Sequence, residues 1–270
     1  MIKASVIISF YNKIEYLKLV LAGFEIQTEK NFEIIIADDG SEQSVVDELS
    51  RIINNYPFRI KHLWQEDQGF RKNKILNKSI LASESDYLIF IDGDCVPHSR
   101  FVEGHLQNKE SNTILSGRRV NLSEKITNSL SEQKVREKFL ERNLFRLALD
   151  GIFGKSLDVE KGIYLENKSL LKFFNRKTRG LLGCNFSLHK ESILSINGFD
   201  ERYQAPSIGE DSDVQFRLEL NGYRTKSLNH IAVQYHLYHK LQDRPAENLI
   251  LFEQVKNQKE IFTPFGIRKT

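Results

Sequence analysis

Short apolar runs alternate with amphipathic stretches through the first hundred residues, and this order constrains the fold more than any other feature of the chain. The apolar runs have the length of buried strands, and the stretches between them carry apolar residues at helical spacing. The predicted elements are strands at Val6–Phe10, Phe32–Ala37, Arg59–Trp64 and Tyr87–Ile91 and helices at Lys13–Gln27, Ser44–Asn54 and Phe70–Ala82. This order predicts an α/β fold in which a Rossmann-like, mainly parallel central sheet is flanked by helices.

The second half of the chain has a less regular pattern. Its predicted elements are strands at Ile114–Val120, Gly180–His189 and Ile231–Tyr238 and helices at Lys134–Leu149, Asp211–Asn221 and Asn248–Lys259. No repeat, low-complexity segment or linker rich in proline, glycine or serine divides the sequence. We therefore expect one domain over residues 1–270, with halves at 1–120 and 181–270 and a partly helical insertion at 121–180.

Composition places the chain among globular proteins and excludes several function classes. Hydrophobic residues make up 40% and charged residues 28%, which excludes a fibrous or mainly disordered protein. The net charge of +3 is too small for a dedicated nucleic-acid binder. The two cysteines, Cys95 and Cys184, predict free thiols, with a single bridge as the alternative. The N-terminal apolar run is too short for a membrane span and lacks a cleavage site, so we expect a cytoplasmic protein.

Ligands of parallel α/β sheets bind beyond the carboxyl ends of the strands, so the polar residues there are the first candidates for a site. The second strand ends in Asp38-Asp39-Gly40-Ser41. Carboxylates before a turning glycine can accept hydrogen bonds from a ribose or a base edge. The alternative is a plain turn in which Ser41 caps the next helix.

A second acidic group follows the fourth strand, in the order Asp92-Gly93-Asp94. Alternate residues of an extended backbone point to one side, so the two carboxylates can share a divalent cation or divide between a cation and a sugar hydroxyl. Oxygen ligands in an incomplete shell are typical of Mg²⁺ or Mn²⁺ bound together with substrate phosphates. The alternative is an ordinary Asp-Gly turn.

Two further segments carry charged candidates. Arg71 and Lys74 come soon after the third strand and Gly69, where they can approach a diphosphate, with Arg71 preferred, or begin a solvated helix. Glu210 and Asp211 precede a predicted helix. A carboxylate there can act as a general base, but the local sequence alone favours a helix cap.

Taken in order, these segments resemble a family-2 glycosyltransferase with the GT-A fold. The resemblance is carried by "SVIISFYN", "QTEKNFEIIIADDGS", "YLIFIDGDCVP" and the Glu210-Asp211 pair. The segments Gly183–Ser187 and "INGFDERY" resemble the carboxyl-side half of galactosyltransferase and chondroitin-polymerase-type domains. The resemblance covers roughly residues 4 to 240. It implies an inverting hexosyl transfer from a UDP-sugar, with the donor bound by residues 1–120 and the acceptor by residues 181–270.

The resemblance also implies roles for the residues that match the family's donor site. Ser9 and Tyr11 lie beside the nucleotide. Asp39 meets the uracil with Asp38 next to it, and Arg71 approaches the diphosphate.

The same resemblance implies the metal and the catalytic group. Asp92 lies near the ribose and donor sugar, and Asp94 holds an Mn²⁺ or Mg²⁺ ion that bridges the diphosphate. A late histidine after a strand completes the metal site in the related domains. His236 fits that position better, with His239 as the alternative. Asp211 is the implied catalytic base.

Glu210 and Asn185 are the implied acceptor contacts. The acceptor is expected to be a glycan or a lipid-linked oligosaccharide of surface polysaccharide biosynthesis. One rival is a sugar nucleotidyltransferase, although the loop at Phe10–Lys13 lacks the glycines of a phosphate loop. The other rival is a non-catalytic sugar-binding module on the same fold, against which the intact carboxylates count.

The insertion is rich in lysine and arginine, partly diluted by glutamates. Basic amphipathic helices can lie on anionic membrane surfaces, which predicts peripheral contact with the inner face of the membrane. The same cations can bind an anionic acceptor instead, or form an ordinary solvated helix face.

Overall fold

The predicted order of strands and helices in the first half is confirmed. The computed structural model describes residues 2–205, 210–240 and 246–269. Its first elements are β1 (Ala4–Phe10), α1 (Ile14–Glu25), β2 (Phe32–Asp38), α2 (Gln43–Ile52), β3 (Arg59–Trp64), α3 (Lys72–Ala82) and β4 (Tyr87–Asp92). The boundaries differ from the sequence-based ones by no more than two residues.

The remaining elements form a less regular second half. They are β5 (Cys95–Pro97), α4 (Phe101–Gln107), β6 (Thr113–Ser116), β7 (Arg118–Asn121), α5 (Glu124–Asn128), α6 (Glu132–Arg136), α7 (Phe139–Arg142), α8 (Leu144–Phe153), α9 (Lys168–Phe174), β8 (Asn185–His189), α10 (Lys190–Ser195), α11 (Glu210–Leu220), β9 (Arg224–Ser227), β10 (Val233–His236) and α12 (Glu247–Gln258). Short 3-10 helices follow α2 at Ile53–Asn55 and α8 at Val159–Gly162.

The central sheet is largely parallel, as predicted, and has the strand order β3-β2-β1-β4-β8-β6-β9. Strands β1 to β4 are parallel because a helix crosses back between each of them. Strand β8 runs antiparallel to both β4 and β6, whereas β9 runs parallel to β6. A smaller sheet that the sequence did not predict has the order β5-β10-β7.

Apolar side chains of the central strands alternate between two cores, one on each face of the sheet. Ile8 of β1 belongs to the core that includes Leu21 of α1. Its neighbour Ile7 belongs to the other core, with Ile75 of α3 and Val214 of α11. Burial of such a side chain contributes about 1.5–3 kcal/mol. The helices on both faces therefore hold the carboxyl ends of the strands at a fixed edge.

The prediction of a single strand at Ile114–Val120 is wrong, because the chain breaks there into β6 and β7, which belong to different sheets. The break lies at Gly117. A β-carbon at this position would lie 2.3 Å from Oδ1 of Asn185, so only glycine allows the two segments this close. The chain leaves the central sheet at this point and enters the smaller one.

The single helix predicted at Lys134–Leu149 is also wrong, since three short helices, α6, α7 and α8, occupy this region. Lys138 adopts a left-handed conformation (φ 60°) between the first two. Val135, Leu140 and Leu147 are buried, one from each helix, whereas Phe145 and Leu149 are exposed. At 180–189, only Asn185–His189 forms the predicted strand.

Helix α11 is anchored by an ion pair that is almost fully buried. Arg217 Nε donates to Asp213 Oδ2 at 2.8 Å, and its other nitrogens donate to the carbonyls of Ile196 and Gly198. Loss of one partner of such a pair typically costs about 3–5 kcal/mol. The pair therefore fixes the helix whose first residues are Glu210 and Asp211.

Candidate active site

The parallel register brings the ends of β1, β2 and β4 together at one edge of the central sheet. Ser9 lies opposite Asp92 on one side and Ala37 on the other. The Ser9 hydroxyl donates a hydrogen bond to Asp92 Oδ1. Close behind, the Gly93 amide donates to the Ser9 carbonyl at 2.8 Å. The Asp92 carboxylate is therefore held in place at the carboxyl end of β4.

Asp39 lies between the turn after β2 and the loop after β3. Its Oδ1 accepts a hydrogen bond from Gln65 Nε2 at 2.7 Å, and its Oδ2 accepts one from the Arg71 backbone amide at 2.8 Å. Burial raises the pKa of Asp39, and the two hydrogen bonds oppose this shift. Gly40 adopts a φ of +96°, and a β-carbon there would collide with Asp67. The glycine thus allows the two loops to approach each other.

Tyr11 lies at the surface, next to the loop that follows β3. Its ring is half exposed, and its hydroxyl donates to Asp67 Oδ2 at 3.0 Å. The Arg71 guanidinium donates to the neighbouring Phe70 carbonyl at 3.2 Å. Tyr11 therefore contacts the loop after β3, and Arg71 reaches Asp39 through its backbone amide.

Asp38 does not face the site, although the sequence pattern grouped it with Asp39. It is fully buried, with Oδ1 accepting from the Ser41 amide and Oδ2 lying 2.9 Å from His62 Nε2. Oδ1 stabilises the turn and Oδ2 bonds to β3, so the turn interpretation applies to Asp38. The alternative of a Ser41 helix cap is wrong, because Glu42 is the N-cap of α2.

Asp94 points away from Asp92 and toward two histidines. Its Oδ2 lies 3.6 Å from His236 Nε2 and 3.3 Å from His239 Nε2. Strand β5 pairs antiparallel with β10, which places Cys95 opposite His236. The two carboxylates of Asp92-Gly93-Asp94 therefore have different partners, Ser9 for Asp92 and the two histidines for Asp94.

The charges of this cluster are strongly coupled. Burial alone would raise the pKa of Asp94, but hydrogen bonding to His239 and the nearby imidazoles lower it to about 2. Burial lowers the pKa of His236 to about 4, and the hydrogen bond to Asp94 raises that of His239. Asp94 is therefore ionised at neutral pH.

The donor set fits a divalent cation. One ligand atom from each of Asp94, His236 and His239 lies within 4.8 Å of the others. His239 Nδ1 donates to the Lys240 carbonyl at 2.9 Å, which orients the ring with Nε2 toward Asp94 and His236. A carboxylate with two imidazoles suits a first-row ion such as Mn²⁺. Both histidines belong to the cluster, so the choice between them does not arise.

Glu210 and Asp211 diverge from the start of α11. Asp211 Oδ2 accepts from the Gly183 amide at 3.0 Å, and its Oδ1 accepts from the Ser212 amide. A β-carbon at Gly183 would lie 3.5 Å from Asp211 Oδ2 and 3.6 Å from Glu210 Oε1. The glycine therefore leaves open the space beside both carboxylates.

Lys72 joins the two halves of the site, and the sequence analysis missed it. Its ammonium group lies 3.0 Å from Asp92 Oδ1 and 3.2 Å from Glu210 Oε1. Burial disfavours this charge, but the two carboxylates hold the pKa of Lys72 well above its usual value. The second oxygen of Glu210 is buried and has no hydrogen-bond partner among the described residues. Burial raises the pKa of Glu210.

Asn185 lies in the interior of the protein, opposite Ile91 in the central sheet. It is fully buried, and its amide nitrogen donates to the carbonyls of Arg118 and Ala232. Its Oδ1 lies 3.2 Å from His105 Nε2. The side chain links the two sheets, so we do not retain it as an acceptor contact.

Known proteins share this sequence pattern and fold. The profile of Glycosyl transferase family 2 matches residues 5–159, and that of the N-terminal domain of galactosyltransferase matches residues 169–240. Chondroitin synthase of Pasteurella multocida (strain Pm70) is 26% identical over 233 residues, which cover 81% of this chain. The match spans only 23% of that synthase.

Two solved structures illustrate the shared fold. A mannosyltransferase from Pyrobaculum calidifontis, in complex with GDP-Man and Mn²⁺, superposes with a TM-score of 0.62 at 14% identity, covering 97% of this chain and 66% of its own. S. aureus TarS 1–349, in complex with UDP-GlcNAc, gives 0.58 at 16% identity, covering 89% and 60%. The fold is GT-A, as the sequence resemblance implied. Because the family profile covers more than half of its residues, this chain belongs to glycosyl transferase family 2.

Proposed function

We propose that this glycosyltransferase moves a sugar from a UDP-sugar to a hydroxyl of a glycan or lipid-linked acceptor, with inversion at the anomeric carbon. One observation carries the proposal: donor-side carboxylates, a cation-binding cluster and the acidic start of α11 meet at one edge of the sheet. The UDP-GlcNAc complex of TarS supports a uridine nucleotide. The relationship to chondroitin synthase supports a role in surface polysaccharide biosynthesis.

On the donor side, Asp39 would accept a hydrogen bond from the uracil, with Ser9, Tyr11 and Arg71 around the nucleotide. Asp92 would contact the ribose and donor sugar. Lys72 would orient Asp92, since its ammonium group lies 3.0 Å from that carboxylate. These groups bind and orient the donor before any bond changes.

Asp94, His236 and His239 would hold an Mn²⁺ or Mg²⁺ ion. Such a cation, when bound, stabilises as a Lewis acid the negative charge that develops on the departing diphosphate. The low pKa of Asp94 keeps this ligand ionised at neutral pH.

Asp211 would act as general base. The acceptor oxygen attacks the anomeric carbon and passes its proton to Asp211, while the bond from that carbon to the UDP oxygen breaks with its electron pair. Attack opposite the leaving group inverts the configuration in a single step. The Gly183 amide holds the Asp211 carboxylate in a fixed orientation, and Glu210 would contact the acceptor beside it.

A panel of nucleotide sugars tests this function directly. We expect one UDP-sugar to be hydrolysed, or transferred to an added acceptor, in the presence of Mn²⁺, with GDP-mannose as the matched control. NMR of the product should show the inverted anomer. Activity with GDP-mannose alone would contradict the uridine donor. Release of pyrophosphate from UTP and a sugar 1-phosphate would contradict the proposal and favour the nucleotidyltransferase.

Asp39→Ala should weaken UDP binding without a large change in folding. A hydrogen bond to a charged group contributes roughly 1.5–3 kcal/mol, which corresponds to about tenfold to a hundredfold in affinity. Isothermal titration calorimetry with UDP measures the change. Asp47→Ala, at an exposed position on α2, is the control and should bind UDP normally. Unchanged affinity in Asp39→Ala would remove this residue from the site.

A further inference from the structure

The insertion exposes an apolar stripe on α8. Phe145, Ile152 and Phe153 have exposed fractions of 77%, 71% and 84%, and Leu149 lies between them on the same helical face. Leu147, on the opposite face, is buried in the core. Large apolar side chains exposed together on one face mark an interaction surface rather than scattered surface residues.

Helix α9 adds a second stripe. Phe173 is 66% exposed, and Leu170 and Phe174 are exposed on the same face. The two helices pack at opposite ends of the segment 159–165. Val159 contacts Gly151 of α8, and Phe174 packs on His230, whose ring bonds to the Ile163 carbonyl. Leu157 and Ile163, in the segment between the two helices, are also exposed.

Positive charge is concentrated around these stripes. Residues 142–179 contain nine lysines and arginines against four acidic residues, so this segment is more positive than the whole chain. In the part of the chain that the structure describes, its ion pairs are Lys161 with Glu160 and Glu166 with Arg100. The other cations of this segment are exposed to solvent, among them Arg146, Lys155, Lys168, Lys172 and Arg176.

We propose that the surface formed by α8, α9 and the segment between them docks on an anionic lipid bilayer. Aromatic and aliphatic tips next to lysines and arginines are typical of helices that lie in the lipid interface. Protein interfaces, in contrast, are depleted of lysine. No helix within the described ranges is long and apolar enough to cross a bilayer. This proposal does not depend on the proposed reaction.

Electrostatic attraction and insertion of apolar side chains would both contribute to binding at this surface. Each lysine or arginine near an anionic leaflet contributes roughly fivefold to binding, and the contribution disappears at high salt. The inserted apolar side chains add a contribution that salt does not remove. A surface with both properties should bind anionic vesicles reversibly and ignore neutral ones.

Vesicle sedimentation of the full chain tests the proposal. The chain should sediment with vesicles of phosphatidylcholine and phosphatidylglycerol at low salt, and not with phosphatidylcholine alone. Ile152→Ser with Phe153→Ser should weaken binding about tenfold or more. Lys172→Gln with Arg176→Gln should weaken it by about 25-fold. Both double variants change exposed side chains, and thermal melting should confirm that they are folded.

Matched controls change similar residues elsewhere. Leu81→Ser, at an apolar position on α3 that is 59% exposed, and Arg51→Gln with Lys259→Gln should bind vesicles normally. No sedimentation of the unmodified chain, or equal sedimentation with neutral vesicles, would overturn the proposal. If only Lys172→Gln with Arg176→Gln weakens vesicle binding, and the apolar variant does not, the surface would be a site for an anionic polymer. A dimer that the apolar variant abolishes, without vesicle binding, would indicate self-association. Either result also overturns it.

Discussion

Asp211→Asn should lower kcat by about 10²–10⁴-fold, the usual contribution of a general base. Asparagine retains the shape of the side chain and can still accept the hydrogen bond from the Gly183 amide at its oxygen. It cannot take up the proton of the acceptor hydroxyl. UDP affinity and melting temperature should therefore change little. Steady-state kinetics with saturating donor and acceptor, beside calorimetry with UDP, separate the two effects.

Glu210→Gln is the matched control, since the two carboxylates are adjacent in the chain. Glu210 accepts a hydrogen bond from Lys72, whereas Asp211 accepts one from the Gly183 amide, so loss of Glu210 should affect substrate binding more than turnover. If Glu210→Gln abolishes turnover while Asp211→Asn does not, their roles are reversed. If both variants melt at a much lower temperature, the pair is structural and the assignment of a base at this position is wrong.

Asp94→Ala should abolish metal-dependent transfer. Changes in groups that only support metal ligands cost about 10–100-fold in affinity, so loss of a direct ligand should cost at least about 100-fold. Titration with Mn²⁺ in the presence of UDP measures this change. Asp86→Ala is the control, because Asp86 is exposed and precedes β4, the strand that Asp94 follows. This variant should bind Mn²⁺ normally.

Removal of the cation gives the same test without a mutation. EDTA should abolish transfer, and Mn²⁺ or Mg²⁺ should restore it. His236→Ala and His239→Ala should each raise the concentration of Mn²⁺ required, because both imidazoles lie in the cluster. Full activity in EDTA would show that Asp94 and the histidines do not serve this reaction through a metal.

The sequence predicts the first half of the fold well because local and global signals agree there. Strands such as β2 are buried along their whole length, and each helix between them has one apolar face. The second half depends on contacts between distant residues. Gly117 ends a strand because Asn185 occupies the space beside it, and no local pattern reports a contact of that kind.

The residues of the candidate site also differ in whether the local sequence predicts them. Asp39, Asp92 and Asp94 follow from the position of ligands at the ends of parallel strands. Asp38 has the same residue type and nearly the same position, but alternation along the backbone turns it toward His62. Lys72 was missed because its partners are 20 and 138 residues away, so only the folded chain brings the three together.

The order of strands in the two sheets has a consequence for how such a chain can change during evolution. One family profile ends at residue 159 and the other begins at residue 169. Strands β8 and β10 belong to the second matched segment, but β8 lies between β4 and β6 of the first, and β10 lies between β5 and β7 of the first. Neither matched segment completes a sheet of its own, and β4 alone would present an unpaired apolar edge, which promotes aggregation. Recombination at this boundary would therefore disrupt both sheets. New donor or acceptor preferences should arise by substitution at the ends of the strands rather than by exchange of whole segments.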